Sequence, residues 1–193
     1  MPAAGSRKRR GERHTRRDEI LAAAKQLFLR EGYEATTIRK IADRVGVSAP
    51  ALYLYFADKE AILLALCDQT FGFLIEEMGR IDREGPVDSL RACGRAYIRF
   101  GLEHPSEYWL TFISGDTAKS TGAAAFARLV EQLKAIEAAG IRLRYPADTA
   151  AELFWMGLHG LVSALINNRE FPWTKREQLI DGMIDLATNG IVA

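Results

Sequence analysis

The sequence predicts an all-α protein of about nine helices. Apolar residues recur at helical spacing in successive segments, and no segment shows the strict alternation of apolar and polar residues that is typical of a strand. Gly and Pro residues separate the periodic segments. With 193 residues, of which 48% are hydrophobic, the chain can form one large or two small domains with buried cores.

The N-terminal residues 1–14 lack apolar periodicity and are predicted to form a flexible basic arm. Its cations are Arg7, Lys8, Arg9, Arg10 and Arg13. Residues 1–60 hold 13 Lys and Arg against 8 Asp and Glu, whereas residues 61–193 hold 13 against 17. This asymmetry favours an N-terminal part that faces a polyanion. The arm either lies along DNA phosphates or in a minor groove, or is a solvated tail.

The first helix is predicted over residues 15–31 and is followed by a short connector. Its apolar stripe at helical spacing consists of Ile20, Leu21, Ala24, Leu27 and Phe28. Thr15 and Asp18 have the spacing of a capping box at its start, and Gly32 is expected to end it.

Residues 37–56 are predicted to form two short helices with a sharp turn between them. The first has one buried face, formed by Ile38, Ile41, Ala42 and Val45 at i, i+3, i+4 and i+7. Thr37 can cap this helix, and Gly46 can adopt the left-handed conformation that stops it. Ser48 can cap the second helix, over residues 48–56, with Pro50 in its first turn. This is a helix-turn-helix arrangement, whose second helix can enter a DNA major groove.

Six further helices are predicted after this unit. They span residues 58–81, 87–103, 105–114, 123–139, 147–167 and 174–189, with a polar loop at 115–122. Asp58 can cap the first of them. The helix over 147–167 is apolar nearly all round, so we expect one side to pack on its own domain and another on a second copy of the chain.

Composition also limits where in the cell the protein is expected and which cofactors it is expected to bind. No apolar run has the length of a membrane span, and the basic N-terminus lacks the apolar stretch of a signal peptide, so we expect a cytoplasmic protein with no membrane partner. Cys67 and Cys93 are expected to be reduced thiols, with a redox-sensing pair as the alternative. The histidines have no Cys or carboxylate at ligand spacing, so we expect no metal or other cofactor.

Residues 16–68 resemble the tetracycline-repressor (TetR) family of transcription regulators. The matching residues, at fixed spacing, are Phe28, Gly32, Tyr33, Thr36, Thr37, Ile41, Ala42, Val45, Gly46, Val47, Ser48, Leu52, Tyr53, Tyr55, Phe56, Lys59 and Glu60. Tyr55 departs from the family, which often has His there. The C-terminal part, through Trp155, His159 and Gly160, is similar to a subgroup with a Trp-His-Gly signature.

The resemblance implies a DNA-binding domain over residues 15–60, with its reading unit at 37–56, and a helical ligand-binding and dimerisation domain over 61–193. It implies a regulator and favours a repressor, with an activator left open. The regulator would bind palindromic operator DNA as a homodimer through the last two helices, residues 147–189. A small-molecule inducer would release it, with the long helix from Asp58 as the lever between the two regions.

The resemblance also implies which side chains touch DNA. Ser48, Ala49, Pro50 and Ala51 would contact base edges, the last three by apolar contact. Arg39 is the candidate for a guanine contact, or else contacts a phosphate or is solvated. Phosphates would be held by Thr37, Tyr53, Tyr55 and Lys59, the last at a helix N-terminus.

A mostly aromatic set of residues is the candidate lining of a site for a small, largely apolar ligand. It comprises Phe71, Tyr97, Phe100, Trp109, Phe112, Phe126, Phe154, Trp155 and His159. Aromatic residues at helical spacing are more often plain core, and a histidine on an apolar helix is more often a core residue with its hydrogen bonds satisfied. Both interpretations stay open from the sequence.

Three other classes of function compete with a ligand-responsive regulator. A small-molecule-binding protein with a vestigial DNA head is disfavoured by the basic arm and the intact reading unit. A non-specific DNA-binding protein leaves the aromatic C-terminal half unexplained. An enzyme is disfavoured because the sequence has no nucleophile elbow, glycine-rich phosphate loop or metal motif, so no catalytic residue is expected.

Overall fold

The computed structural model describes residues 5–79, 85–112 and 119–193, and this part of the chain is helical apart from its connecting segments. Its nine helices are α1 (Gly5–Glu31), α2 (Ile38–Val45), α3 (Ala49–Leu52), α4 (Lys59–Gly79), α5 (Pro86–Glu103), α6 (Pro105–Phe112), α7 (Lys119–Ala138), α8 (Ala147–Asn167) and α9 (Arg176–Ile191). Within these ranges the only bridge between extended residues is an isolated one, between Leu143 and Val192. The predicted all-α fold is confirmed.

Helix α1 begins at Gly5, well before the predicted start at residue 15. The preceding segment is rich in Arg, with Lys and Glu, which have high helix propensity, so the helix extends beyond its apolar stripe. The backbone of residues 5–14 is therefore helical. The side chains of residues 1–14 lie outside the described residues, so the flexible basic arm stays a prediction.

Two other helices have a described boundary that differs from the prediction by more than two residues. Helix α3 ends at Leu52, so the predicted second helix over residues 48–56 is too long. Helix α7 begins at Lys119, so residues 119–122 are helical rather than part of the polar loop, because the alanine run after Gly122 favours helix. The predicted helix ends near residues 81 and 114 and the loop over 115–118 lie outside the described residues.

The chain forms two compact units. The first holds the residues up to Gln69 and the segment that begins at Trp109, and the second holds residues 70–108 and those from Lys119 onward. Helices α4 and α6 therefore contribute residues to both units. The functional boundary predicted at residue 60 stays a prediction.

The first unit has its own apolar core, to which α1, α2, α3 and α4 all contribute. The core consists of Ile20, Leu21, Ala24, Leu27, Phe28, Ile41, Ala42, Leu52, Phe56, Ile62, Leu63, Ala65, Leu66, Cys67 and Leu110. The apolar stripe predicted for α1 and the central pair of the α2 face, Ile41 and Ala42, are all in it. The pattern of the sequence thus fixes which faces of these helices are buried.

The second unit packs α5, α7, α8 and α9 against one another. Phe154, Leu158 and Val162 of α8 are buried there, and so are Ile180 and Ile184 of α9. On the surface, Arg91 of α5 pairs with Asp185 of α9, and Arg95 pairs with Asp181 at 2.5 Å. The two ion pairs lie one helical turn apart on α5 and connect it to α9 across the surface.

Helix α8 is, among the described helices, the one that is long and apolar enough to cross a membrane by length and composition alone. Its buried residues pack on α5, α7 and α9, which is what a core helix of a globular unit does.

The two cysteines are free and buried, and burial raises the pKa of both thiols. The protonated, less reactive form of each is therefore favoured.

Gly101 of α5 marks the tightest helix contact in the second unit. A Cβ atom at this position would lie 2.5 Å from Cγ1 of Val162 and 2.9 Å from Cδ2 of Tyr108. Both neighbours are stiff, because one is β-branched and the other is a buried ring. Only a residue without a side chain allows α5 to approach α6 and α8 this closely.

We expect Gly101→Ala to destabilise the protein by about 1–3 kcal/mol through overpacking, measured by chemical or thermal unfolding. Gly72→Ala is the matched control, since a Cβ there would meet nothing within 4 Å and the position is exposed on α4. The control should gain roughly 0.5–1 kcal/mol from helix propensity. Equal effects of the two substitutions would contradict the close packing.

Candidate functional site

Helix α2 is bounded by the two caps that the sequence predicts. The Thr37 Oγ1 accepts a hydrogen bond from the Lys40 backbone N–H at 3.3 Å. Gly46 has φ = 71°, a left-handed conformation, and the Val47 N–H donates to the Ala42 carbonyl at 3.0 Å. This geometry satisfies backbone groups at both ends of a helix of only 8 residues. The caps, and with them the sharp turn into α3, are confirmed.

Helix α3 is a single turn of 4 residues followed by tighter turns. Ser48 caps it by accepting from the Ala51 N–H at 3.3 Å, as predicted. After Leu52 the chain forms tighter turns, in which hydrogen bonds join residues three apart. The Tyr55 N–H, for example, donates to the Leu52 carbonyl at 2.9 Å. Leu52 and Phe56 are both buried in the first-unit core, and their burial fixes the orientation of the residues between them.

The opposite side of α2 and α3 is solvent-exposed, and we call it the reading face. It comprises Thr37, Arg39, Ser48, Pro50, Tyr53 and Leu54. Tyr53 is 54% exposed and Leu54 73% exposed. The other predicted DNA contacts, Ala49, Ala51, Tyr55 and Lys59, are half-buried, with Ala49 and Tyr55 packed against the core.

Leu54 is a member of the reading face that the sequence did not single out. A signal was present, because Leu54 follows the buried Leu52 by two residues, and on a helical turn such residues point to different faces. An exposed leucine between two tyrosines makes this end of the reading face apolar.

Arg39 differs from the other cations of α2 in its surroundings. The Lys40 ammonium donates to the Glu31 carboxylate at 2.8 Å, and Arg44 donates to the Gln26 side chain at 3.2 Å. The guanidinium of Arg39 is exposed and has no hydrogen-bond or ion-pair partner among the described residues. It is therefore the cation of α2 that is available to a ligand.

The Lys59 ammonium is directed at the protein's own backbone. It donates to the Tyr33 carbonyl at 2.7 Å and approaches the Glu34 carbonyl at 3.5 Å. It also lies 4.1 Å from the centroid of the Tyr33 ring, a cation–π geometry. A phosphate contact by Lys59 stays a prediction.

A partly buried polar cluster lies in the second unit, where α5, α6 and α8 contribute Tyr97, Tyr108, His159 and Ser163. The two tyrosines are buried, and the histidine and the serine are half-buried. The Tyr108 hydroxyl lies 2.5 Å from His159 Nδ1 and 3.0 Å from the Tyr97 hydroxyl. Ser163 Oγ lies 3.4 Å from His159 Nε2. These distances fit a neutral imidazole that accepts from Tyr108 at Nδ1 and donates to Ser163 from Nε2.

Aromatic stacking and burial complete this polar cluster. The Trp155 and His159 rings are stacked with centroids 5.0 Å apart. Burial raises the pKa of Tyr108 to about 12 and the pKa of Tyr97 well above its usual range. Burial also lowers the pKa of His159. All the ionisable groups of the cluster are therefore held in their neutral forms.

The nine aromatic and histidine residues predicted as a ligand lining fall into several environments. Tyr97, Trp155 and His159 meet in the polar cluster, with Tyr108 and Ser163 as partners that the sequence did not single out. Other members lie elsewhere: Phe154 is a core residue close to Gly94, the Phe100 ring lies against His104, Phe71 faces Gly122, and Phe126 is half-buried on α7. Trp109 and Phe112 belong to the first unit, where Trp109 packs against its core. A ligand role for these residues stays a prediction.

Large exposed apolar side chains are present on both of the last two helices. Leu186 of α9 is 69% exposed, and Leu153 and Met156 of α8 are exposed as well. Met183 of α9 packs at Gly157 of α8, so the two helices are in direct contact beside these residues. We call Leu153, Met156 and Leu186 the outer apolar face.

Among the described residues no group of His, Cys, Asp and Glu could hold a metal ion.

Two family profiles match the chain over most of its length. Residues 20–66 match the profile of bacterial regulatory proteins of the tetR family. Residues 90–187 match the profile of a tetracyclin repressor-like C-terminal domain. Neither match names the Trp-His-Gly subgroup, so that detail stays a prediction.

The curated relatives are similar over part of their length. The chain is 34% identical over 118 residues to the transcriptional activator FasR of Mycolicibacterium smegmatis, covering 60% of this chain and 53% of that protein. It is 44% identical over 96 residues to the transcriptional repressor AcnR of Corynebacterium diphtheriae, covering 49% of this chain and 45% of that protein. The chain thus spans about half the length of these relatives.

Solved structures share the fold over nearly the whole chain. A tetR family transcription regulator from Shewanella sp. PV-4 superposes with a TM-score of 0.74 at 16% identity, covering 92% of this chain and 98% of that one. The fatty acid degradation regulator FadR from Bacillus halodurans gives 0.76 at 18% identity, covering 91% and 95%. At these identities the likeness establishes the fold.

The lowered pKa of His159 generates a pH prediction. Below about pH 6.5 the unfolded chain takes up a proton on this histidine that the folded protein resists, so stability should fall as the pH drops below that value. We expect the thermal midpoint of the wild type to decline more steeply between pH 8 and pH 5 than that of His159→Gln. Parallel curves would contradict a neutral, half-buried His159.

Proposed function

Because the chain belongs to the TetR family of bacterial regulatory proteins, it is a DNA-binding transcription regulator, and we propose that it is a cytoplasmic repressor that binds a palindromic operator as a dimer. We further propose that a small, largely apolar inducer releases it. The observation that carries the DNA part is the exposed reading face beside a buried core: the caps and Leu52 hold the backbone, while Ser48, Arg39 and Tyr53 face solvent.

We propose that the single turn of α3 presses into a major groove. Ser48 donates to or accepts from a base edge, and Ala49, Pro50 and Ala51 make close apolar contact, for instance with a thymine methyl group. Arg39 reaches a guanine, since its guanidinium is the available cation of α2. Thr37, Tyr53 and Tyr55 hold phosphates on either side and set the register.

Removal of the Arg39 guanidinium should weaken binding and relax specificity at one position. Duplexes selected by the wild type from a random double-stranded library should contain a palindrome. We expect Arg39→Ala to lose about 1–3 kcal/mol of binding free energy on a selected duplex and to tolerate substitution of one guanine in each half-site. Arg44→Ala, which removes a cation held by Gln26, is the control and should bind nearly as the wild type does.

Failure of the wild type to select any duplex would contradict the proposed function. It would favour a small-molecule-binding protein whose DNA head is vestigial. Selection of duplexes without a common sequence would favour a non-specific DNA-binding protein instead.

We propose that the dimer forms through α8 and α9, residues 147–189. The outer apolar face is the supporting observation, because a helix pair that leaves Leu153, Met156 and Leu186 in water gains free energy by covering them. A two-fold axis between two such pairs gives a four-helix interface and places two reading faces on one duplex.

A charge in the outer apolar face should weaken the dimer. Leu186→Glu is expected to raise the dimer dissociation constant by at least tenfold, about 1.4 kcal/mol, measured by sedimentation. Leu29→Glu, at an exposed leucine of α1, is the matched control and should leave the oligomeric state unchanged. A stable wild-type monomer at micromolar concentration would contradict the proposal.

We propose that the inducer binds the second unit and favours an arrangement of the dimer that fits the operator poorly. The polar cluster supports this, since it places a few neutral hydrogen-bonding groups in apolar surroundings. The inducer must bind the DNA-incompetent arrangement more tightly, with a coupling of typically 1–3 kcal/mol.

Relatives include both a repressor and an activator by name, and the repressor AcnR has the higher identity of the two described above.

A further inference from the structure

The connector between α1 and α2 has the carbonyl oxygens of four successive residues bound. The buried Thr36 donates its hydroxyl to the Gly32 carbonyl at 2.8 Å. Lys59 donates to the Tyr33 carbonyl at 2.7 Å and approaches the Glu34 carbonyl at 3.5 Å. Lys40 donates to the Ala35 carbonyl at 2.9 Å. We call these contacts the connector clamp.

The connector clamp lies immediately before the reading face. Its last residue, Thr36, donates its backbone N–H to the Tyr33 carbonyl at 3.2 Å, and the next residue, Thr37, caps α2. The Tyr33 carbonyl thus accepts from both Lys59 and Thr36. A shift of this carbonyl would move the start of α2, and with it Thr37 and Arg39.

The geometry leaves Lys59 little capacity for a DNA phosphate. An ammonium has three N–H donors. Two are directed at carbonyl oxygens, and the charge lies 4.1 Å from the Tyr33 ring, which itself packs on the buried Phe28 with centroids 5.2 Å apart. Turning the ammonium toward a phosphate would leave the Tyr33 carbonyl without its charged donor.

The charges around Lys59 also disfavour an approaching phosphate. After burial, the causes that raise the pKa of Tyr33 are the carboxylates of Glu60, Glu34 and Asp58. Three carboxylates therefore lie near the Tyr33 ring, with which the Lys59 ammonium makes its cation–π contact. These carboxylates disfavour the approach of a phosphate to this point of the surface.

We propose that Lys59 is a positioning residue of the reading face, which fixes the connector through the Tyr33 and Glu34 carbonyls rather than contacting a DNA phosphate. The proposal rests on the DNA binding proposed above and deepens it. It assigns to this side chain a contribution to operator affinity that does not depend on counterion release.

The dependence of affinity on salt separates the two roles. A lost phosphate contact lowers the slope of log K against log salt by about 0.9, whereas a misplaced reading face weakens binding with the slope unchanged. We expect Lys59→Met to bind a duplex selected by the wild type about tenfold more weakly, with the wild-type slope. Arg39→Met removes the same charge from the same unit without touching the connector, and reports what loss of one exposed cation does to the slope.

Two further measurements complete the test. The Thr36 amide, which donates to the Tyr33 carbonyl, should exchange with solvent faster in Lys59→Met than in the wild type, while amides of the buried α4 turn at Leu63 keep their rates. Lys59→Arg retains the charged donor and should restore affinity. Lys59→Gln serves as the second neutral variant where Lys59→Met fails to fold.

A slope lowered by about 0.9 in Lys59→Met would overturn the proposal in favour of a phosphate contact. Unchanged affinity of the folded variant would overturn it as well, since Lys59 would then be structural only. A wild type that selects no duplex would instead overturn the proposed function, and the inference with it.

Discussion

The burial of Leu52 in the first-unit core is the contact on which the reading face depends. Helices of 8 and 4 residues are far below the length at which an isolated helix is stable in water, so neither α2 nor α3 holds its shape alone. Leu52, Ile41 and Ala42 are almost completely buried against α1 and α4. Their burial fixes one face of the turn and leaves Ser48, Arg39 and Tyr53 on the other. The shape of the reading face is therefore a property of the whole first unit.

Capping and the connector clamp add precision to this arrangement. Thr37 and Ser48 each accept a hydrogen bond from one backbone N–H in the first turn of their helices, and Gly46 allows the left-handed turn between them. Thr36, Lys40 and Lys59 bind the carbonyls of the preceding connector. The second unit achieves order differently, since its polar cluster satisfies phenol, imidazole and hydroxyl groups inside an apolar environment without a net charge. Such a cluster favours one packing arrangement, because any other leaves a buried polar group unpaired.

Features that depend on neighbouring residues in the chain were predictable from the sequence. The three residues that bound α2 and α3, the Asp58 cap of α4 and the buried stripe of α1 follow from spacing and backbone preference, and the structure has all of them. The early start of α1 was missed because helix propensity needs no apolar stripe. The length of α3 was missed because burial of Leu52 and Phe56 at i and i+4 is what a continued helix predicts, whereas the chain after Leu52 forms turns with hydrogen bonds between residues three apart.

Contacts between distant residues were not predictable in this way. Lys59 reaches Tyr33 across 26 positions of sequence, and Tyr108 reaches His159 across 51. Periodicity indicates only that such residues lie on a certain face, without naming the partner. The same limit applies to the aromatic residues proposed as a ligand lining, of which Tyr97, Trp155 and His159 meet and others serve the cores of their units.

The central claim is that the exposed side of α2 and α3 binds DNA while their buried side holds it in place. The most direct measurement is the change in backbone amide NMR shifts of the isotope-labelled protein when a selected duplex is added. The account predicts the largest shifts at Thr37, Arg39, Ser48 and Leu54, with small shifts at the buried Ile41 and Leu52. Shifts confined to the second unit, with none in α2 or α3, would contradict it.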